Sequence, residues 1–356
     1  MSTALGILAL GFLIIVHEAG HYFVARWCRM RVDRFSIGFG PGILKRTSRK
    51  TGTVFQLAPI PFGGFVEIRG MNIAEEVDPT DPEAYPNRPA WQRFVTIFAG
   101  PATNYLSAIA LAMALFTCHG RDATEREIHV ADVLPDYDAV GKLQIEDRIL
   151  KVDGVPLYAN EGETLTERVM KKQGAPVKLT IRRDGQEREV EITPRPARDK
   201  ADQLIKDKEG RQVYYLGIAP SNRIVVDTGI IDAAWYALEY PIEQTKLIAS
   251  GLYGIIVGTE KADPGGPVRI VGEFSKAFDY SLVAGIKMLM MLSVYLGLFN
   301  LFPLPALDGG RLVFLGYEMV TRRRANPKIE GMVHMSGIML LGIVMILVTL
   351  NDCHVI

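Results

Sequence analysis

The chain opens on STALGILALGFLIIVHEAGHYFV, residues 2–24, an apolar run that meets His17, Glu18 and His21 only in its last third. A helix needs roughly 20 apolar residues to cross a hydrocarbon core about 30 Å thick, so this stretch reads as a spanning helix that carries three ionisable groups. It is not expected to be a cleaved signal, because it lacks a basic leader and shows ionisable residues where a small-residue cleavage site would stand. Three more windows are long and apolar enough: 94–117 with no charged residue, 282–302 with only Lys287, and 332–350 with His334 as its one ionisable group.

The Lys and Arg content of short loops sets orientation. Arg26, Arg29, Arg31, Arg34, Lys45, Arg46, Arg49 and Lys50 follow the first span, and Arg322, Arg323, Arg324 and Lys328 follow the third. Both loops are expected on the cytoplasmic side, with the termini and residues 119–280 opposite. The 356 residues carry 40 basic and 40 acidic side chains, so no global field points to nucleic acid. A mean hydropathy of +0.14 at 22% charged residues means that charge and apolar surface are segregated along the chain. Cys28, Cys118 and Cys353 form no CxxC spacing, which excludes a disulfide framework and a cysteine zinc finger.

Between the second and third spans, residues 126–221 read as a small α/β domain. Asp153-Gly154 and Asp184-Gly185 each follow an alternating apolar run and predict hairpins. Thr164 and Glu167 match a capping box opening a helix that Gly174 closes. Mostly strands with one helix points to a PDZ-like module. From about Asp232 to Gly258, Trp235, Leu238, Ile242, Leu247 and Ile248 alternate with Glu239, Glu243 and Lys246 around Pro241; an amphipathic helix on the outer membrane surface fits better than a fifth span. Residues Thr53 to Ile68 are strand-like but broken by Pro59 and Pro61. They read either as a plain hairpin beside the membrane or as one dipping into a cavity, where irregular backbone is tolerated.

His17-Glu18-Ala19-Gly20-His21 is HExxH. Residues i and i+4 share a helix face, so both imidazoles can reach one Zn2+ while Glu18 faces a reacting water as general base. The chain's own His and Glu frequencies give roughly 0.006 chance matches. Each ionisable group in a spanning helix costs about 2.5–3.5 kcal/mol, and a metal would compensate three within five residues. A catalytic zinc takes a third protein ligand. His119, His129, His334 and His354 are poorly placed for it, whereas Asp308, after the third apolar helix, lies on the membrane side of His17 and His21. Leu307-Asp308-Gly309-Gly310 reads equally as an Asx-type turn at a helix exit.

Taken together, HEAGH, Pro61-Phe62-Gly63-Gly64, Gly100-Pro101-Ala102-Thr103-Asn104, Tyr215-Leu216-Gly217-Ile218-Ala219-Pro220, Gly266-Pro267-Val268, and Asn300 with Pro303, Pro305 and Leu307-Asp308-Gly309-Gly310 resemble a bacterial site-2 protease of the RseP type, in order and over nearly the whole chain. The resemblance implies one Zn2+ held by His17, His21 and Asp308, Glu18 as the catalytic acid/base, and substrate contacts at Asn300, Asn104, Gly63 and Gly64. It further implies that Leu216, Gly217 and Ile218 form a carboxylate-binding loop of the PDZ-like module; a closing strand is the equal alternative. Relatives controlling the envelope-stress sigma factor commonly carry two PDZ domains, and the insert here has room for one.

The expected architecture is a polytopic α-helical membrane protein of about four transmembrane helices, with a membrane-associated β-hairpin region and one periplasmic PDZ-like α/β domain. Its parts are residues 1–26 (first span, HExxH), 27–93 (cytoplasmic-side or re-entrant β region), 94–118 (second span), 126–221 (PDZ-like), 222–280 (amphipathic surface segment), 281–310 (third span, NxxPxPxLDG) and 331–350 (fourth span). By resemblance it sits in the bacterial inner membrane with its active site near the cytoplasmic face. There it would hydrolyse peptide bonds within transmembrane segments of single-pass proteins, such as an anti-sigma factor or signal-peptide remnants, first cut by another protease. A metal-binding membrane transporter or a non-proteolytic PDZ scaffold is the alternative.

Overall fold

The computed structural model describes residues 2–72, 75–159, 161–198, 204–207, 210–260 and 265–352; Cys353 and His354 lie outside them. Eight helices form among the described residues: α1 (Ser2–Trp27), α2 (Ala90–His119), α3 (Leu165–Lys171), α4 (Ile230–Ile256), α5 (Pro267–Tyr280), α6 (Leu282–Leu301), α7 (Asp308–Thr321) and α8 (Pro327–Asp352). Four of them, α1, α2, α6 and α8, are long and apolar enough to cross a membrane, as the apolar windows predict. Two compact units result, residues 1–119 with 228–356, and residues 120–227.

In the first unit, α1 and α2 cross where side chains are smallest. A Cβ on Gly20 would stand 2.3 Å from the Ala99 carbonyl oxygen, and Thr103 Oγ1 donates to the Val16 carbonyl at 2.9 Å. Lipid offers no hydrophobic drive between helices, so close backbone approach and shared hydrogen bonds must hold them. A second seam joins α2 to α6: Ser293 Oγ donates to the Asn104 carbonyl at 2.9 Å and lies 2.6 Å from Ser107 Oγ. Arg93 on α2 donates to Glu318 on α7 at 2.5 Å, with both side chains largely buried, and this pair ties α7 to the bundle.

The helix of the third span ends where its apolar window, 282–302, closes. Pro303 and Pro305 remove backbone donors and Ala306 takes φ +77°, so α6 stops at Leu301 and Asp308 begins a separate helix. The stretch expected on the membrane surface forms one helix, α4, which packs on α2 and α6 through Ala233, Ala237 and Ile248, with Tyr105 Oη 2.9 Å from Thr245 Oγ1. The exposed stripe Ile231, Trp235, Leu238 and Ile242 is what an amphipathic pattern also produces when its other face meets helices.

The 27–93 region is a sheet of four strands, β1 (Val32–Phe39), β2 (Leu44–Thr47), β3 (Val54–Leu57) and β4 (Ile60–Ile68), ordered β2-β3-β1-β4. The predicted Thr53–Ile68 hairpin does not close on itself. β1 lies between β3, to which it is parallel, and β4, to which it is antiparallel, because Pro59 and Pro61 prevent a tight reversal.

The second unit contains β5 (Arg121–Val133), β6 (Arg148–Val152), β7 (Val155–Pro156), β8 (Val177–Arg183), β9 (Gln186–Ile192), β10 (Arg195–Pro196), β11 (Tyr214–Tyr215) and β12 (Ile218–Val226). Its main sheet runs β12-β5-β6-β8-β9. Asp153-Gly154 and Asp184-Gly185 turn the β6–β7 and β8–β9 hairpins with positive φ at all four residues, the requirement of a type I′ turn. Thr164 and Glu167 close their capping box on α3. Val130, Ile149, Val177, Leu179, Ile181 and Ile192 are fully buried, each contributing about 1.5–3 kcal/mol from burial before entropy.

Candidate metal centre

His17 and His21 lie one turn apart on α1, and the Phe302–Leu307 loop swings Asp308, at the start of α7, against them. His17 Nε2 is 3.1 Å and His21 Nε2 3.3 Å from Asp308 Oδ2, and the two Nε2 atoms are 3.3 Å apart. A tetrahedral ion with bonds of about 2.0–2.1 Å has donor atoms roughly 3.3–3.4 Å apart, so this triangle is close to one face of such a tetrahedron.

Proton placement decides whether those atoms can be ligands. His21 Nδ1 lies 2.9 Å from the Thr96 carbonyl oxygen; a carbonyl only accepts, so Nδ1 carries the proton and Nε2 a lone pair. His17 Nδ1 lies 3.1 Å from the fully buried Asn104 amide, whose Oδ1 otherwise has no partner. Turning that amide so that Oδ1 accepts from His17 Nδ1 gives the buried oxygen a donor and leaves His17 Nε2 unprotonated too. Asp308 Oδ2 is buried and receives no hydrogen bond, because both nitrogens beside it then present lone pairs. Three buried donors converging without a proton between them fit a divalent cation and little else.

The surroundings leave no slack. A Cβ on Gly100 would stand 2.3 Å from His21 Nε2, so α2 can approach only as glycine. Glu18 lines a cavity of about 240 Å3 with His17, His21, Phe65, Val66, Ile68, Met71, Asn300, Ala306 and Asp308. Among the described residues no other histidine joins the cluster.

The other predicted site residues divide. Asn300 lines the cavity and donates from Nδ2 to the Leu296 carbonyl at 2.9 Å. Asn104 stands behind His17 with no exposed surface, its amide 3.1 Å from His17 Nδ1. Gly63 and Gly64 back onto Phe39 and onto Ser36 and Glu18; they permit close packing, and the cavity wall is built by their neighbours Phe65 and Val66. Leu216 lies in the core of the second unit, the Gly217 carbonyl accepts from Leu134 N, and Ile218 pairs with Val133. This segment leads into β12. Thr96 and Met71 carry no sequence signal, since only the helix crossing and the path of the chain after β4 bring them to the site.

The profile of Peptidase family M50 matches residues 5–344. The chain belongs to peptidase family M50. Over 360 residues it is 29% identical to "Putative zinc metalloprotease FN1322" of Fusobacterium nucleatum, covering 99% of this chain and 98% of the relative. It is 31% identical over 358 residues to "Putative zinc metalloprotease RC0203" of Rickettsia conorii, covering 97% and 96%. A solved structure, the second domain of the Listeria protein Lin2157, is 22% identical over 28% of this chain and 86% of that one, with a TM-score of 0.19, too slight a likeness to carry an argument. M50 membership, four helices able to span a bilayer and the His17–His21–Asp308 donor set make this a membrane metalloprotease, with zinc the metal for which its relatives are named.

Proposed function

We propose that this M50 protein is an intramembrane protease of the site-2 type, cutting peptide bonds inside transmembrane segments of single-pass proteins already shortened by another protease. The observation that carries the reading is the donor triangle of His17, His21 and Asp308 within one helical turn of Glu18, deep in a bundle of apolar helices. Zn2+ bound there would supply a Lewis acid that polarises the scissile carbonyl and lowers the pKa of the attacking water.

The chain's own residues have separate tasks. Glu18 accepts the proton of the attacking water at its carboxylate and returns it to the leaving amine, so no covalent intermediate is required. Thr96 and Asn104 hold the two imidazoles in the tautomer that keeps Nε2 free. An unwound substrate segment leaves backbone donors and acceptors unsatisfied, and β4, an outer strand whose Phe65, Val66 and Ile68 line the cavity, offers an edge on which they can pair. Asn300, beside the same cavity, can bond the substrate backbone.

On this reading the 120–227 unit is a PDZ-like module on the extracytoplasmic side of the bacterial inner membrane, excluding substrates with bulky outer domains. Its antiparallel sheet and single capped helix support the module; the basic loops at 26–50 and 322–328 support the orientation.

The test is cleavage of a single-span model substrate by the purified protein and its Glu18→Gln variant, with zinc measured in both. Hydrolysis lost at unchanged zinc content supports the protease. Equal cleavage by the variant would remove Glu18 from the mechanism, and no cleavage by either protein would favour a carrier or scaffold.

A further inference from the structure

The sheet of the 27–93 region is polarised along its length. Its contacts fix its direction against α1. A Cβ on Gly64 would lie 3.1 Å from Ile14 Cγ2 and 3.4 Å from Glu18 Cγ; one to two turns on, Tyr22 packs on Phe35 and Phe55 with ring centroids 5.7 and 5.6 Å apart; beyond the helix end, Thr53 Oγ1 donates to the Val32 carbonyl at 2.8 Å. The strands thus run back along the helix from its C-terminal end to the level of Ile14, about 20 Å at 1.5 Å per residue from Trp27.

The end that reaches this depth is apolar and exposed: Phe39 45%, Ile43 66%, Leu44 65%, Leu57 44% and Ile60 52%. In a chain whose α1 spans a bilayer, an apolar surface at this depth suits a lipid-facing position. Lys45 and Arg46 follow Leu44 along β2, and the opposite end carries Arg49 and Lys50 in the turn closed by Gly52 N to the Ser48 carbonyl, all four exposed. No acidic residue occurs from Arg34 to Val66. The flanking acids are engaged, Asp33 with Arg31 and Arg69, and Glu67 with Arg34. Trp27 and Trp91, 73% and 51% exposed, stand at the end of α1 and the start of α2, the positions where indoles mark the headgroup layer.

We propose that Lys45, Arg46, Arg49 and Lys50 bind the headgroups of anionic phospholipids in the leaflet that the apolar end of the sheet enters. The occupant follows from charge and level: Arg49 and Lys50 at headgroup height with Arg46 and Lys45 below them, none in an ion pair among the described residues, on one sheet whose other end lies in acyl chains. Arg46 and Lys45, a little deeper, reach the layer by extending their stems. Bound headgroups fix the depth of the sheet and with it the seat of β4 against Glu18. The proposal rests on membrane insertion and not on proteolysis, so it can fail while the catalytic reading stands.

The experiment reconstitutes the purified chain in nanodiscs of mixed phosphatidylcholine and phosphatidylglycerol. It compares the association of spin-labelled forms of each lipid with wild type and with a Lys45→Gln, Arg46→Gln, Arg49→Gln, Lys50→Gln variant whose zinc content verifies the fold. Wild type is expected to select phosphatidylglycerol by about fivefold or more at low salt, falling as salt rises. The variant should fall within about twofold of no preference, and an Arg46→Lys, Arg49→Lys variant should retain it. Equal selectivity in wild type and the fourfold variant overturns the proposal. So does displacement of the lipid by soluble glycerol phosphate, which would mean a discrete phosphate site, and so does unselective lipid association with loss only of acidic-peptide binding, which would make the patch a protein dock.

Discussion

Asn104 has no contact with the cavity, yet it decides which nitrogen of His17 is free. Replacing it by Ala should lower metal affinity about 10- to 100-fold, read by competition with a chromophoric chelator, while Asn104→Asp, which still accepts from Nδ1, should retain most of it. Unchanged affinity in the Ala variant would show that His17 needs no orienting partner. Gly100→Ala should act on His21 with similar force, since a methyl 2.3 Å from Nε2 can be accommodated only by moving the ring; metal analysis of that variant checks it. The ligands themselves were legible because an i, i+4 pair is local and the Leu307-Asp308-Gly309-Gly310 turn is distinctive. The contacts of Asn104 and Thr96 with the two imidazoles are not legible in the same way: they depend on which face of α2 meets α1, which no local pattern encodes.

The element that delivers Asp308 is the loop from Phe302 to Leu307, and its shape depends on α8. Ala306, at φ +77°, donates its N–H to His334 Nδ1 at 3.3 Å, while Gly337 lets α8 close on Pro305. A non-glycine residue held in that region costs of order 1 kcal/mol or more, so the loop needs its acceptor. His334→Phe should reduce zinc retention through the position of Asp308, whereas His334→Asn, with an oxygen near the place of Nδ1, should restore it; equal loss in both would assign His334 a packing role alone. The end of α6 at Leu301 follows from Pro303 and Pro305, which remove helical hydrogen bonds where the apolar window 282–302 closes. In Val32–Phe39 the alternation is short, Phe35, Ile37 and Phe39, and it runs into Gly38, Gly40, Pro41 and Gly42, which read as a loop.

At the scale of the whole molecule, each unit has its own source of stability. In the 120–227 unit, Asp147 is almost wholly buried and gripped by Arg183 through Nε at 2.7 Å and Nη2 at 2.6 Å, with Gln144 N donating at 2.8 Å. Burial pushes its carboxyl up, but the Arg183 fork and the Gln144 N–H outweigh that and hold it below the ordinary 3.8. A lowered folded pKa contributes stability above pH 3.8 that is lost as pH falls through the lower value. Asp147→Asn should destabilise this unit by about 1.5–3 kcal/mol at neutral pH and flatten its acid sensitivity, measured by hydrogen exchange of residues 120–227 in the full-length protein; an unchanged acid profile would contradict the assignment. This unit was the most legible in sequence, since its turns and capping box are local, whereas the path of α4 along α2 was not, because an amphipathic face does not say whether lipid or protein covers it. The account as a whole stands on three side chains from distant parts of the chain closing on one ion. Zinc K-edge absorption of the purified protein tests that most directly: two imidazoles and oxygen donors at about 2.0–2.1 Å with no sulfur are predicted, and a metal-free protein, a sulfur shell or a spectrum unchanged by Asp308→Ala would contradict it.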